Sequence, residues 1–172
     1  MKKSIVQALT KEADQNGICD EWKIDLSRIR TVDGLCKMYL DGIDFCLSNE
    51  YPSVEFLREN FAGMTEKHGI FVDKKCKVEG YKKIVLLGDS DANIAVSGYQ
   101  VVQVFVKHQS KLSLKATDNT FAIVDMFDNS QLDIELSGNS KVCIMHYGGV
   151  ITRTLRCDDA MLKIENKNKK TY

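Results

Sequence analysis

The sequence predicts an α+β chain in which N-terminal helices precede a short β-solenoid, a single-stranded β-helix with coils of about 20 residues. Three features carry this reading. Residues 1 to about 62 place apolar side chains at helical spacing. From Tyr81 onward, apolar residues recur every second position within a segment and every twentieth between segments. Gly, Asp, Asn and Ser fill the gaps between those segments, where tight turns need them.

In the helical region, residues 1–62, Ile5, Val6, Leu9 and Ala13 share one face, and Asn16-Gly17 is the expected stop. Trp22, Ile24, Leu26 and Ile29 follow with mixed spacing. Thr31 is placed to cap one helix running to about Leu47, with Val32, Leu35, Cys36, Tyr39, Leu40, Ile43 and Cys46 on its apolar face. Asn49 to Pro52 breaks the pattern. Ser53 can cap a short helix through Val54, Leu57 and Phe61, ending near Gly63. Residues 63–80 read as a connecting segment with one short strand, Ile70-Phe71-Val72.

Residues 81–165 hold the repeats. Ile84, Val104, Val124, Ile144 and Ile164 form one column, and Val102, Ala122, Val142 and Leu162 another. Leu86, Val106 and Met126 form a third, which His146 enters. The alternate segments give Ala92, Leu112 and Leu132, then Ile94, Leu114 and Ile134, then Val96, Ala116 and Leu136. Period two is a strand with one buried face, and period twenty stacks such strands on copies of themselves. An antiparallel meander is the competing architecture, but hairpins have no reason to keep one repeat length over four turns. The fourth coil departs from the pattern. Thr152, Thr154 and Arg156 stand where apolar residues are due, and Ile151 and Leu155 fit only after a one-residue slip. Residues 166–172 read as a basic flexible tail, and its lysines discourage edge-to-edge pairing.

Composition narrows the function. The chain of 172 residues has 24 basic and 24 acidic groups, so net charge is zero, and charge is close to balanced in both halves. Nucleic acid and membrane surfaces are therefore not expected partners. No apolar run approaches the length of a membrane span. None of the six cysteines forms a Cys-x-x-Cys pair, so they read as reduced apolar residues and the expected location is cytoplasmic. No phosphate-binding glycine motif occurs, and no cofactor or metal is expected. Cys143 and His146 form a Cys-x-x-His pair, but their opposite strand parity aims them apart, which is poor geometry for a nucleophile and its base. Asp128 and Asp133 lie across a turn and, with His146, make the candidate polar site; solvated turn carboxylates are the plainer reading. The aromatic residues Tyr81, Phe105, Phe121, Phe127 and Tyr147 make the candidate interaction surface. Tyr81, Val101, Phe121 and Met161 share one outward column that Lys141 interrupts. Such a stripe is either covered by the helices or a contact surface.

Gly17-Ile18-Cys19-Asp20-Glu21-Trp22, Gly42-Ile43-Asp44-Phe45-Cys46, Tyr51-Pro52-Ser53 with Phe56, and His68-Gly69-Ile70-Phe71-Val72-Asp73 precede the β-repeats. In these segments the chain resembles uncharacterised small proteins of prophage-like or other mobile elements in gut bacteria. At the level of fold it is also similar to short β-solenoids such as bactofilins. The resemblance implies no particular activity. The expected function is a non-enzymatic interaction or structural protein that presents a rigid solenoid face to a protein partner. The alternative is a small-molecule or carbohydrate binder, even an enzyme, using aromatic and acidic residues on the solenoid surface. Self-association through the solenoid ends, as a homodimer, is a third reading.

Overall fold

A computed structural model describes residues 3–172; residues 1 and 2, which the sequence reading includes in the helical region, lie outside the described residues. The chain divides into two compact units, the helical region through His68 and residues 69–171.

The helical unit contains α1 (Lys3–Gln15), α2 (Asp20–Arg28), α3 (Val32–Asp41), α4 (Ile43–Ser48), α5 (Val54–Phe61) and a 3-10 turn at Glu66–His68. Both expected caps form. The Thr31 hydroxyl accepts from Gly34 N at 3.1 Å and the Ser53 hydroxyl from Phe56 N at 3.2 Å, each satisfying an amide that the first turn leaves open. The single helix expected from Thr31 to Leu47 is two helices. Gly42 leaves helical geometry at φ −107°, ψ 36°, and a Cβ there would sit 2.8 Å from the Trp22 ring. The helix breaks where the backbone must pass close to an indole. Val6, Leu9, Ala13, Leu26, Cys36, Cys46, Leu47, Leu57 and Phe61 are buried, and the Tyr51 hydroxyl donates to Leu9 O at 3.0 Å.

The second unit is a β-solenoid of about five coils. Its strands are β1 (Ile70–Val72), β2 (Lys75–Val78), β3 (Lys83–Leu87), β4 (Asp91–Val96), β5 (Val101–Val106), β6 (Lys111–Ala116), β7 (Phe121–Met126), β8 (Gln131–Leu136), β9 (Lys141–His146), β10 (Val150–Arg156) and β11 (Met161–Asn166). Odd strands β1 to β11 form sheet A and the remaining strands, β2 to β10, form sheet B; every pairing is parallel. Register is offset by one coil: Val104 lies opposite Ile84 and Val124, and Leu112 opposite Ala92 and Leu132. The columns read from the sequence are the core, and their members from Ile84 through Ile144 are buried.

The first coil is shorter. Ile70 lies opposite Val85 and Lys75 opposite Asp91, offsets of 15 and 16 residues. A search at period twenty therefore passes over β2, and the segment read as carrying one strand carries two. The fourth-coil slip is also resolved. The turn Tyr147-Gly148-Gly149 is one residue shorter than its equivalent Phe127–Ser130, so Val150 pairs with Gln131; a bulge at Thr152 then returns Arg153 to Asp133.

The four-residue turns repeat one device. Their second residue has positive φ at His108, Asp118, Asp128, Gly138 and Asp158. Its side chain, where one exists, accepts from the amide of the equivalent residue one coil earlier. Asp118 takes Gly98 N at 2.8 Å, Asp128 takes His108 N at 3.1 Å, Asp158 takes Gly138 N at 2.9 Å, and His108 Nδ1 takes Gly88 N at 3.1 Å. The closing turn residue, Ser90, Ser110, Thr120, Ser130 or Ser140, is buried. No helix of the described residues is long and apolar enough to cross a membrane.

Candidate interaction surface

Strand parity sends alternate residues of sheets A and B outward, and the two outer faces differ. Sheet B is charged outside: Lys115 Nζ lies 2.9 Å from Glu135 Oε1, and Arg153 lies 3.9 Å from Asp133. The Lys115 ammonium holds the Glu135 carboxyl below its ordinary range. Sheet A mixes apolar and charged residues outside, with the apolar ones concentrated in one column. One column, Val101, Phe121, Lys141 and Met161, is in register across β5, β7, β9 and β11. Val101, Phe121 and Met161 are 61%, 38% and 59% exposed, and Tyr99 in the turn before β5 is 87% exposed. The adjoining turns carry an amide ladder in which Asn139 Nδ2 donates to Asn119 Oδ1 at 3.1 Å. Asn119, Thr120, Phe121, Asn139, Lys141, Asp159 and Met161 together line a shallow groove of about 460 Å³.

The five aromatic residues of the candidate surface do not meet at one place. Phe121 lies in this exposed column. Tyr81 is half-buried, with its ring edge-on to Phe71 at 6.1 Å. Phe105 and Phe127 are 1% and 0% exposed, so neither faces solvent in this chain, although strand parity turns Phe105 outward. Phe127 stacks on Tyr147 at 4.8 Å and 13°, with Lys107 Nζ 5.5 Å from the Phe127 centroid and Lys169 Nζ 5.9 Å from the Tyr147 centroid. These side chains form a cation-aromatic column along one corner of the solenoid. Desolvation raises the Tyr147 phenol above its ordinary range.

The polar candidates have separate partners. Asp128 takes the His108 amide and lies 3.2 Å from the buried Lys107 ammonium. Asp133 faces Arg153. His146 places Nδ1 3.1 Å from Asn166 Oδ1 and Nε2 3.2 Å from Gly149 O. Cys143 projects outward from β9.

Sequence reasoning placed Val101, Phe121 and Met161 in one column but missed the flanking Asn119, Asn139 and Asp159. The available signal was the twenty-residue recurrence of Asn at the third turn position, which reads as ordinary turn chemistry until the coils are stacked. Comparisons with known protein families, curated proteins and solved structures return no match.

Proposed function

We propose that this chain is a non-enzymatic interaction or structural protein that offers the exposed column on the outer face of sheet A to a protein partner. The observation that carries the reading is the in-register column of Val101, Phe121 and Met161, exposed beside Tyr99 on a rigid parallel sheet. Exposed apolar side chains on one face favour association, and a hydrogen-bonded sheet holds neighbouring members of the column about 4.8 Å apart with little ordering cost. Lys141 within the column favours a partner that brings a carboxylate among its apolar groups. Six free cysteines support a reducing compartment such as the cytoplasm. A mobile-element origin is supported only by the resemblance of the N-terminal segments.

A second reading, carbohydrate binding, is favoured by the groove itself, where the Asn119–Asn139 amides border the Phe121 ring. A tagged pull-down from the native cell, run with wild type and Phe121→Asp, separates the two. A stoichiometric protein retained by wild type and lost from Phe121→Asp is the expected result. A partner held equally by both overturns the assignment of this surface. Saturable binding of a soluble oligosaccharide, lost in the variant while no protein is retained, selects the second reading.

A further inference from the structure

The last coil is built differently from those before it. Ile84, Val104, Val124 and Ile144 are buried in the central column, yet Ile164, the next member, is 46% exposed. It faces the same interior but has nothing stacked over it. On the opposite strand the inward positions change to Thr154 and Arg156. The inward columns of sheet B therefore turn polar in β10, while Leu162 and Ile164 continue those of sheet A. β11 and β10 are the edge strands of the two sheets at this end. An edge strand with an open backbone row and an exposed apolar residue is a template for strand pairing.

We propose that this end is capped by a second copy of the same chain, through antiparallel pairing of β11 with its symmetry mate about a two-fold axis at Ile164. The register follows from charge. A two-fold axis normal to sheet A keeps interior side chains facing the interior, so it must pass through a residue rather than between residues. Centred on Lys163, it sets lysine against lysine. Centred on Glu165, it sets glutamate against glutamate and Lys163 against the second copy's Lys167. Centred on Ile164, it sets Ile164 against itself and each Lys163 against the other chain's Glu165. Like charges directly opposite destabilise a pair and unlike charges stabilise it, so of these three registers the one centred on Ile164 is self-complementary. Within one chain Glu165 already lies between Lys163 and Lys167, so these three groups are positioned at the edge before association. Such a dimer is closed, with the same patch on both sides. It uses the end of the solenoid and, of the exposed column, engages only Met161, so Val101 and Phe121 stay open to the partner surface.

The test is the mass of the full-length chain against concentration, by sedimentation velocity, for wild type, Lys163→Glu and the double variant Lys163→Glu/Glu165→Lys. Wild type is expected to convert from monomer to dimer as concentration rises, with no larger species. Lys163→Glu sets glutamate against glutamate at both symmetric positions and is expected to weaken the dimer about tenfold or more. The double variant restores opposite charges in the same register and is expected to recover wild-type association. Circular dichroism matching wild type shows that each variant is folded. A single-chain mass at every concentration overturns the proposal. An open ladder of masses, or equal weakening in the single and double variants, also overturns it.

Discussion

Cys36 and Cys46 serve as small core side chains, and their surroundings suppress their thiol chemistry. Burial pushes the Cys36 thiol up to about 11 and the Cys46 thiol up to about 12, with the carboxylates of Asp33 and Asp44 adding to the rise. The thiolate is the nucleophile, so both residues are almost wholly protonated at about pH 8. Alkylation of the native chain at that pH, read by peptide mass spectrometry, is expected to label exposed Cys19 and Cys157 first and to spare Cys36 and Cys46 until urea unfolds the chain. Rapid native labelling of Cys46 would contradict this. That these cysteines are structural was legible from their unpaired spacing and apolar neighbours. The role of the aspartates was only partly legible. Asp118, Asp128 and Asp158 are turn residues, as their type suggests, but their carboxylates reach the coil before their own. Local sequence carries no record of which backbone amide lies one coil away.

Turns decide the solenoid's regularity and its exceptions. Gly149 has φ +86°, and a Cβ there would lie 2.5 Å from the Ser130 carbonyl oxygen, with Val150 N donating to that same oxygen at 2.8 Å. This close approach lets the shortened turn deliver β10 back onto β8. Gly98 has φ +72° but nothing within 4 Å of a Cβ. Gly149→Ala is therefore expected to destabilise the chain by about 1–3 kcal/mol, whereas Gly98→Asn should stay within about 1 kcal/mol because Asn tolerates the left-handed region. Urea unfolding of both variants measures the contrast, and equal losses would show that the Ser130 contact is not the cause. Among the elements, the coils with offset 20 were readable directly. β2 was not, because its offset of 16 breaks the period that reveals the others. The split between α3 and α4 was not, because it depends on Trp22, twenty residues earlier.

At the scale of the whole molecule, the solenoid is a stack in which each coil contacts chiefly its neighbours, so stability should be graded along it. Strands β5 to β8 have a paired strand on both sides and buried interior columns. β10 is an edge strand, interrupted by the bulge at Thr152 and exposed along nearly its whole length. Hydrogen exchange followed by mass spectrometry is expected to show slow amides in β5 to β8 and markedly faster ones in β10; uniform protection would contradict a graded stack. The sequence by itself determined the coil length, the interior columns, the turn positions and the order of helices before solenoid. Each of these is a periodicity or a local backbone preference, which neighbouring residues are enough to express. Only the tertiary structure decided that outward-facing Phe105 is buried while Phe121 is exposed, that Asn119 and Asn139 form a ladder, and that the core ends with Ile164 uncovered. Period two reports which side of a strand a residue takes. What lies against that side is set by residues far away in the chain.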